Sequence, residues 1–320
     1  MPTTCKFRLR NDANKVYYCG EKLDGSVDLT FTETKKVNGI KLIIAGVAHI
    51  KWLQYRGPNR YSTTFKGSEA CLHSEIDLLR AEGETTDVPA GKHTYSFDCF
   101  LPETLPTTFE GKHGRIQYIL TVILQRSWKA DKIFTIEFIV LRNVDLNLEP
   151  TSIRGPARAE ISKSFRCWPC RTGPLLVTLQ APVTGYVAGQ RIAVMLEIHN
   201  ESSSKIQVVH LKLVMVVSYT SDTPRAKIKS DREDVVNIEV EQFEDLGDGC
   251  KYEENLLIPE LPATTPSDSC CKKIKIDYEL EAELEVGAVH QVMKLTIPIT
   301  IGTVPLNCDR RESTIVELET

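Results

Sequence analysis

Ten cysteines hold most of the reactive chemistry in this chain: Cys5, Cys19, Cys71, Cys99, Cys167, Cys170, Cys250, Cys270, Cys271 and Cys308. Two of them share the spacing Cys167-Trp168-Pro169-Cys170. A Cys-x-x-Cys serves a dithiol redox centre when a helix N-terminus lowers the pKa of its first thiol. The same spacing supplies half of a structural zinc site, which wants four ligands. No second Cys-x-x-Cys and no His-x-x-x-His follows, so Cys270, Cys271 and Cys308 are the only candidate partners. The motif lies in a basic, proline-bearing stretch rather than on a strand-to-helix elbow, which favours packed or idle linker cysteines. Cys250 is the third candidate. It sits in Asp245-Leu246-Gly247-Asp248-Gly249-Cys250-Lys251, a turn-like, exposed loop whose acidic residues disfavour the thiolate.

The remaining polar chemistry is sparse. The seven histidines are scattered, with none at a ligand spacing or in a Ser/His/Asp arrangement, and no glycine loop could cradle a phosphate. No enzyme activity, metal or cofactor is therefore expected. Lys112-His113-Gly114-Arg115 is a compact basic turn that suits an acidic tail or a phospholipid headgroup, beside the plainer alternative of a solvated turn. A second basic run, Arg154, Arg158, Lys163, Arg166 and Arg171, could meet a headgroup layer. A formal net charge of −4 over 320 residues argues against a nucleic acid partner, which wants a concentrated basic surface. The first twenty residues are polar and broken by charge, and no window approaches the ~18 apolar residues that span a bilayer. The expectation is a cytoplasmic protein with most thiols free.

The elements that must position these residues are strands. Phe97–Leu124 reads as a strand, a crossing stopped by Pro102 and Pro106, a turn at Gly111 and Gly114, and a long strand. Ile116, Tyr118, Leu120, Val122 and Leu124 share one face of it, the period-2 signature of a half-buried strand. A weaker version recurs about 160 residues later, where Leu257–Thr265 leads into Lys273–Tyr278. Likewise Tyr18-Cys19-Gly20-Glu21-Lys22 has a counterpart in Tyr186-Val187-Ala188-Gly189-Gln190. Ile40–Ile50 and Val208–Val217 are matching near-continuous apolar strands, and Lys132–Val140 closes the first half. Leu72, Ile76 and Leu79 also fit helical spacing, but a strand is preferred there. Along 274–286, apolar residues alternate with Lys275, Asp277, Glu279, Glu281, Glu283 and Glu285, which reads as a solvated acidic face. Pro298 points to an edge position. Short strands divided by Gly, Asn, Asp and Pro give two copies of one β-sandwich, each large enough for its own core.

The motifs, in their order, resemble the α-arrestin family. They are Phe97-x-x-x-Leu101-Pro102 leading to Phe109–Tyr118, Gly20-Glu21-Lys22-Leu23-x-Gly25-x-Val27, Gly46-Val47-Ala48, and Cys167–Cys170 before Gly173-Pro174. In the second half they are Gly185-Tyr186-x-x-Gly189, Asp277-Tyr278 and Leu295-x-Ile297-Pro298-Ile299-x-Ile301-Gly302. The resemblance runs over roughly residues 6 to 303. It implies an all-β fold of two tandem arrestin-type (immunoglobulin-like) sandwich domains joined by a short hinge. The expected boundaries are 1–145 for the first domain, 146–172 for an extended basic linker, 173–304 for the second and 305–320 for a flexible tail. It further implies a non-enzymatic adaptor at the plasma membrane or endosomes. Such an adaptor links cytoplasmic segments of receptors or transporters to ubiquitination and endocytic trafficking. Family members recruit WW-domain ubiquitin ligases through PPxY motifs, but these 320 residues contain no Pro-Pro pair. Two alternatives accompany that expectation: a redox regulator trapping thioredoxin through Cys250 or through Cys167 with Cys170, and a retromer-like coat subunit.

Overall fold

Period-2 alternation decides the architecture of both halves of the computed structural model, which describes residues 3–11, 13–56, 61–81, 83–165, 173–202, 204–240, 249–287 and 291–307. The chain divides into two compact units. One is built from Met1–Asn143, Ser218–Ser230 and Thr265–Lys275, the other from Val144–Val217, Asp231–Thr264 and the residues from Ile276 onward. The described residues contain no α-helix; one 3-10 turn, Thr151–Arg154, is the only helical element among them. None of it is long and apolar enough to cross a membrane.

The first unit runs through β1 (Thr4–Leu9), β2 (Val16–Tyr18), β3 (Lys22–Phe31), β4 (Lys35–Val37), β5 (Gly39–Arg56) and β6 (Tyr61–Arg80). It continues with β7 (Thr86–Val88), β8 (Gly91–Phe100), β9 (Phe109–Gly111), β10 (Gly114–Gln125) and β11 (Lys132–Leu141). One sheet has the order β1-β3-β8. The other has the order β2-β11-β10-β5-β6 with β9 hairpinned onto β10, and β4 pairs β7 as a ribbon. On β10 the expected face is buried throughout, and Ile116, Tyr118, Leu120, Val122 and Leu124 oppose Ala48, Gly46, Ile44, Leu42 and Ile40 of β5. Leu23, Val27, Leu29 and Phe31 of β3 are buried as well. Each such side chain contributes roughly 1.5–3 kcal/mol on leaving water. Gly46 is required where it stands, because a Cβ there would lie 2.3 Å from Tyr118 Cε1.

The strand at Leu72–Leu79 is β6, and its helix-like spacing has a local cause. Ile40 pairs with Leu79 but Lys41 pairs with Asp77, so Leu78 is an extra residue in a β-bulge. One inserted residue shifts the alternation by one and imitates an i, i+3 pattern.

The second unit is built on β12 (Ala157–Lys163), β13 (Leu175–Ala181), β14 (Gly185–Val187), β15 (Arg191–Asn200) and β16 (Ile206–Ser221), the last of which counts with the first unit from Ser218 onward. Then come β17 (Lys227–Val240), which counts with this unit from Asp231, β18 (Cys250–Leu257), β19 (Ile274–Val286), which does so from Ile276, and β20 (Gln291–Gly302). Its sheets have the orders β12-β13-β15-β18 and β14-β20-β19-β16-β17. β12 falls in the stretch expected as a linker and pairs antiparallel along all of β13. β14 reaches only Thr300–Gly302 of β20, so Pro298 occupies a part of the strand that is an open edge.

The acidic stripe of β19 is not a solvated face. Glu281 is only 2% exposed, and Arg232 of β17 and Lys294 of β20 both pair with it. Lys212 of β16 pairs Glu283 at 2.6 Å and Asp234 at 3.4 Å, and Arg232 also reaches Glu279 at 2.6 Å. Cations from three other strands of the same sheet pair with Glu279, Glu281 and Glu283, and their aliphatic stems cover the sheet.

The internal repeat is repeated bond for bond. Gly20 and Gly189 have φ of +85° and +84°. Their N–H groups donate to Leu101 O (2.8 Å) and Ile258 O (2.9 Å). Glu21 Oε2 and Gln190 Oε1 accept from Tyr18 N and Val187 N. Tyr118 and Tyr278 each donate through Oη, at 2.6 Å, to Pro106 O and Pro262 O. Thr108 and Thr264 accept through Oγ1 from Val140 N and Ile301 N. The equivalent tyrosines near the glycines are Tyr17 and Tyr186, which oppose Val140 and Ile301 in parallel pairs. The sequence pairing of Tyr18 with Tyr186 was thus one residue out.

Candidate functional site

Where β5 and β6 run past the β9–β10 tip, the first unit has a cleft of about 790 Å³. Its lining includes His49, Lys51, Lys66, Ser68, Glu110, His113, Arg115 and Asp222. Strand register builds it. Arg115 opposes His49, and Lys51 opposes Lys66, so three strands bring four basic side chains together. The tip can fold this tightly because Gly111 and Gly114 have no side chain: a Cβ would come within 2.4 Å of Tyr219 Oη and 2.6 Å of His49 O, respectively.

An aromatic cluster, of which only His113 lines the cleft, holds the tip. The His113 ring meets Tyr219 edge-on at 5.5 Å and Trp52 at 6.5 Å, while Trp52 stacks on Phe65 at 5.2 Å. Lys51 N donates to His113 O at 2.7 Å, fixing the turn against β5. Ser68 Oγ lies 3.1 Å from His49 Nδ1. Lys66 N donates to Thr223 O at 3.0 Å, and its carbonyl accepts from Asp222 N at 2.8 Å. Of the two acids in the lining, Asp222 is occupied: Lys273 Nζ sits 2.5 Å away and holds its carboxyl below the usual range. Among the described residues, Lys51, Lys66 and Arg115 form no ion pair. The cleft therefore gathers basic side chains from three strands, a composition that suits carboxylate or phosphate groups.

Comparison with known proteins now decides the family. "Arrestin (or S-antigen), N-terminal domain" matches residues 5–147, and "Arrestin (or S-antigen), C-terminal domain" matches residues 171–306. The chain belongs to the arrestin domain-containing, or α-arrestin, family. Arrestin domain-containing protein 17 of Caenorhabditis elegans is 28% identical, over 93% of this chain and 70% of its own. Arrestin domain-containing protein 4 of Mus musculus is 28% identical, over 95% of this chain and 73% of its own. Arrestin domain-containing protein 1 of Homo sapiens is 28% identical, over 91% and 63% respectively. Arrestin-family proteins are non-enzymatic adaptors, and at that general level the role extends to this chain.

Within this α-arrestin, the basic turn named from sequence is the β9–β10 tip. His113 and Arg115 line the cleft, and Lys112 is exposed on the turn beside it. Lys51, Lys66 and His49 were missed. No local signal marks them, since only the β5–β6 and β5–β10 registers bring them to Arg115. Cys250 does not line this cleft. Cys250 is the half-buried first residue of β18, opposite Ile198 in the second unit. Cys167 and Cys170 lie outside the described residues, as do Asp245–Asp248 of the Cys250 loop.

Proposed function

We propose that this α-arrestin is an adaptor whose first-unit cleft grips an acidic or phosphorylated cytoplasmic segment of a membrane receptor or transporter. The observation that carries this reading is Lys51 standing directly opposite Lys66 with Arg115 close by. Like charges opposed across an antiparallel pair destabilise a sheet. Keeping them is reasonable where an anion comes to rest between them. Cargo capture would place the protein at the cytoplasmic face of the plasma membrane or endosomes, held peripherally. Any ubiquitin ligase brought to that cargo would be reached without a PPxY motif in these 320 residues.

The test is fluorescence anisotropy with a glutamate-rich peptide and its phosphoserine counterpart. Exposed charges are worth up to about 1 kcal/mol each, so the double variant Lys66→Glu/Arg115→Glu should weaken binding about tenfold. The wild-type affinity should also fall as salt rises. Binding that ignores both the charge reversal and the salt would remove the cleft from the mechanism.

A further inference from the structure

A second chemical cluster lies in the same unit. In β6, Gly46 pairs with Leu72 and Val47 with Ala70, leaving Cys71 as the extra residue of a bulge. Bulges re-aim the side chains they carry. Residues 269–273 of this unit lie along that stretch. Glu69 Oε2 accepts from Lys272 N at 2.6 Å and from Lys273 N at 3.2 Å, and Cys270 N donates to Thr104 O at 3.0 Å. These bonds deliver Cys271 to Cys71, and the two sulfurs share a hydrogen bond. Cys270 also reaches Cys71, its thiol lying 3.8 Å from Cys71 O.

The two sulfurs are not equivalent. The Cys271 sulfur takes the Cys71 thiol proton as a hydrogen bond and another from the Ile274 N–H, and together these favour its thiolate against the opposing effect of burial. The hydrogen bond to the Cys271 sulfur, and after it burial, push the Cys71 thiol up. One thiol is set up as a nucleophile and the other as its proton-bearing partner. Cys271 is 5% exposed, so only a small reagent reaches it. Among the described residues, no group of His, Cys, Asp and Glu is arranged to hold a metal ion, which leaves thiol oxidation as the cluster's chemistry.

We propose that Cys271 and Cys71 are a peroxide-responsive dithiol that closes to an intra-unit disulfide. The Cys271 thiolate attacks one oxygen of hydrogen peroxide; the O–O bond breaks, hydroxide leaves, and the sulfur becomes a sulfenic acid. The Cys71 sulfur then attacks the Cys271 sulfur. The S–S bond forms, the S–O bond breaks, and the departing hydroxide takes the Cys71 proton and leaves as water. The hydroxide from the first step takes up the proton that Cys271 gave up on ionising, so two thiols lose two electrons, peroxide gains them, and two waters result. The bond would staple β6 to the 269–273 segment, about 200 residues away along the chain.

The experiment treats the reduced full chain with hydrogen peroxide, blocks remaining thiols with an alkylating agent, and maps the non-reduced digest by mass spectrometry. A linked Cys71–Cys271 peptide should dominate, with Cys5 and Cys99 still alkylated. In Cys71→Ser, checked for folding by circular dichroism, a dimedone probe should capture the sulfenic acid at Cys271. The linked form should melt several degrees higher, and reductant should reverse the shift. A dominant Cys270–Cys271 link, intermolecular links, or oxidation spread evenly over the cysteines in the wild-type chain would each overturn the proposal.

Discussion

Replacing Tyr118 by Phe deletes one oxygen and nothing else from the centre of the first unit. The ring is 0% exposed and packs on Phe138 at 5.7 Å, contacts that Phe keeps. What disappears is the 2.6 Å bond to Pro106 O, leaving that buried carbonyl without its donor. An orphaned buried acceptor costs about 1–3 kcal/mol. Taking about 2 kcal/mol, amide exchange through local opening should quicken about thirtyfold. A two-unit chain need not melt in one step, so the assay is hydrogen exchange resolved by peptide rather than a single melting curve. The acceleration should centre on residues 104–124 and the strands paired with them. Tyr278→Phe, which breaks the equivalent 2.6 Å bond to Pro262 O, should do the same around residues 260–286. An acceleration under about threefold at Tyr118→Phe would refute the reasoning, because a penalty that small means the carbonyl was never dependent on the tyrosine.

Three further outcomes follow from geometry already given. Gly46→Ala puts a Cβ 2.3 Å from a tyrosine ring whose hydroxyl is pinned, so it should cost about 3 kcal/mol in a urea titration, and a loss below about 1 kcal/mol would mean the ring can move. Asp28 is held below the usual carboxylate range by the Thr94 hydroxyl first, then by Lys92 and Arg8. A depressed folded value gives stability that is complete above the ordinary carboxylate pKa of about 4 and lost as pH falls through the folded value. The Tm gap between wild type and Asp28→Asn should therefore be widest near neutrality and close in acid; a gap independent of pH would contradict it. Glu281→Ala strips a buried carboxylate from Arg232 and Lys294, which retain Glu279 and Glu283. The residual pairing limits the loss to about 2 kcal/mol, read as a shift in the denaturation midpoint.

Much of the fold was legible because each strand advertises its own buried face. The alternation from Ile116 to Leu124 needed only local sequence, and so did the Gly, Tyr and Pro punctuation of the repeat. The readings that failed share a cause: their partners are far away in the chain. Glu279, Glu281 and Glu283 look like a wet face until β16, β17 and β20 supply their cations. The cleft was half visible through His113 and Arg115, while Lys51 and Lys66 acquire meaning only from strand register. Cys271 looked like a partner for the Cys-x-x-Cys motif, yet among the described residues its neighbour is Cys71, positioned by a bulge that no periodicity reveals.

The order β14-β20-β19-β16-β17 leaves β17, fourteen residues long, at the margin of its sheet. A margin of that length offers a row of backbone donors and acceptors onto which another chain could add itself. β17 carries Lys227, Lys229, Asp231, Arg232, Glu233 and Asp234 over its first eight positions. An incoming strand would have to strip water from these charges, so the margin resists polymerisation. The same barrier would turn away a partner that binds by extending the sheet at this end of β17, which favours capture by clefts and turns for the protein's recognition work.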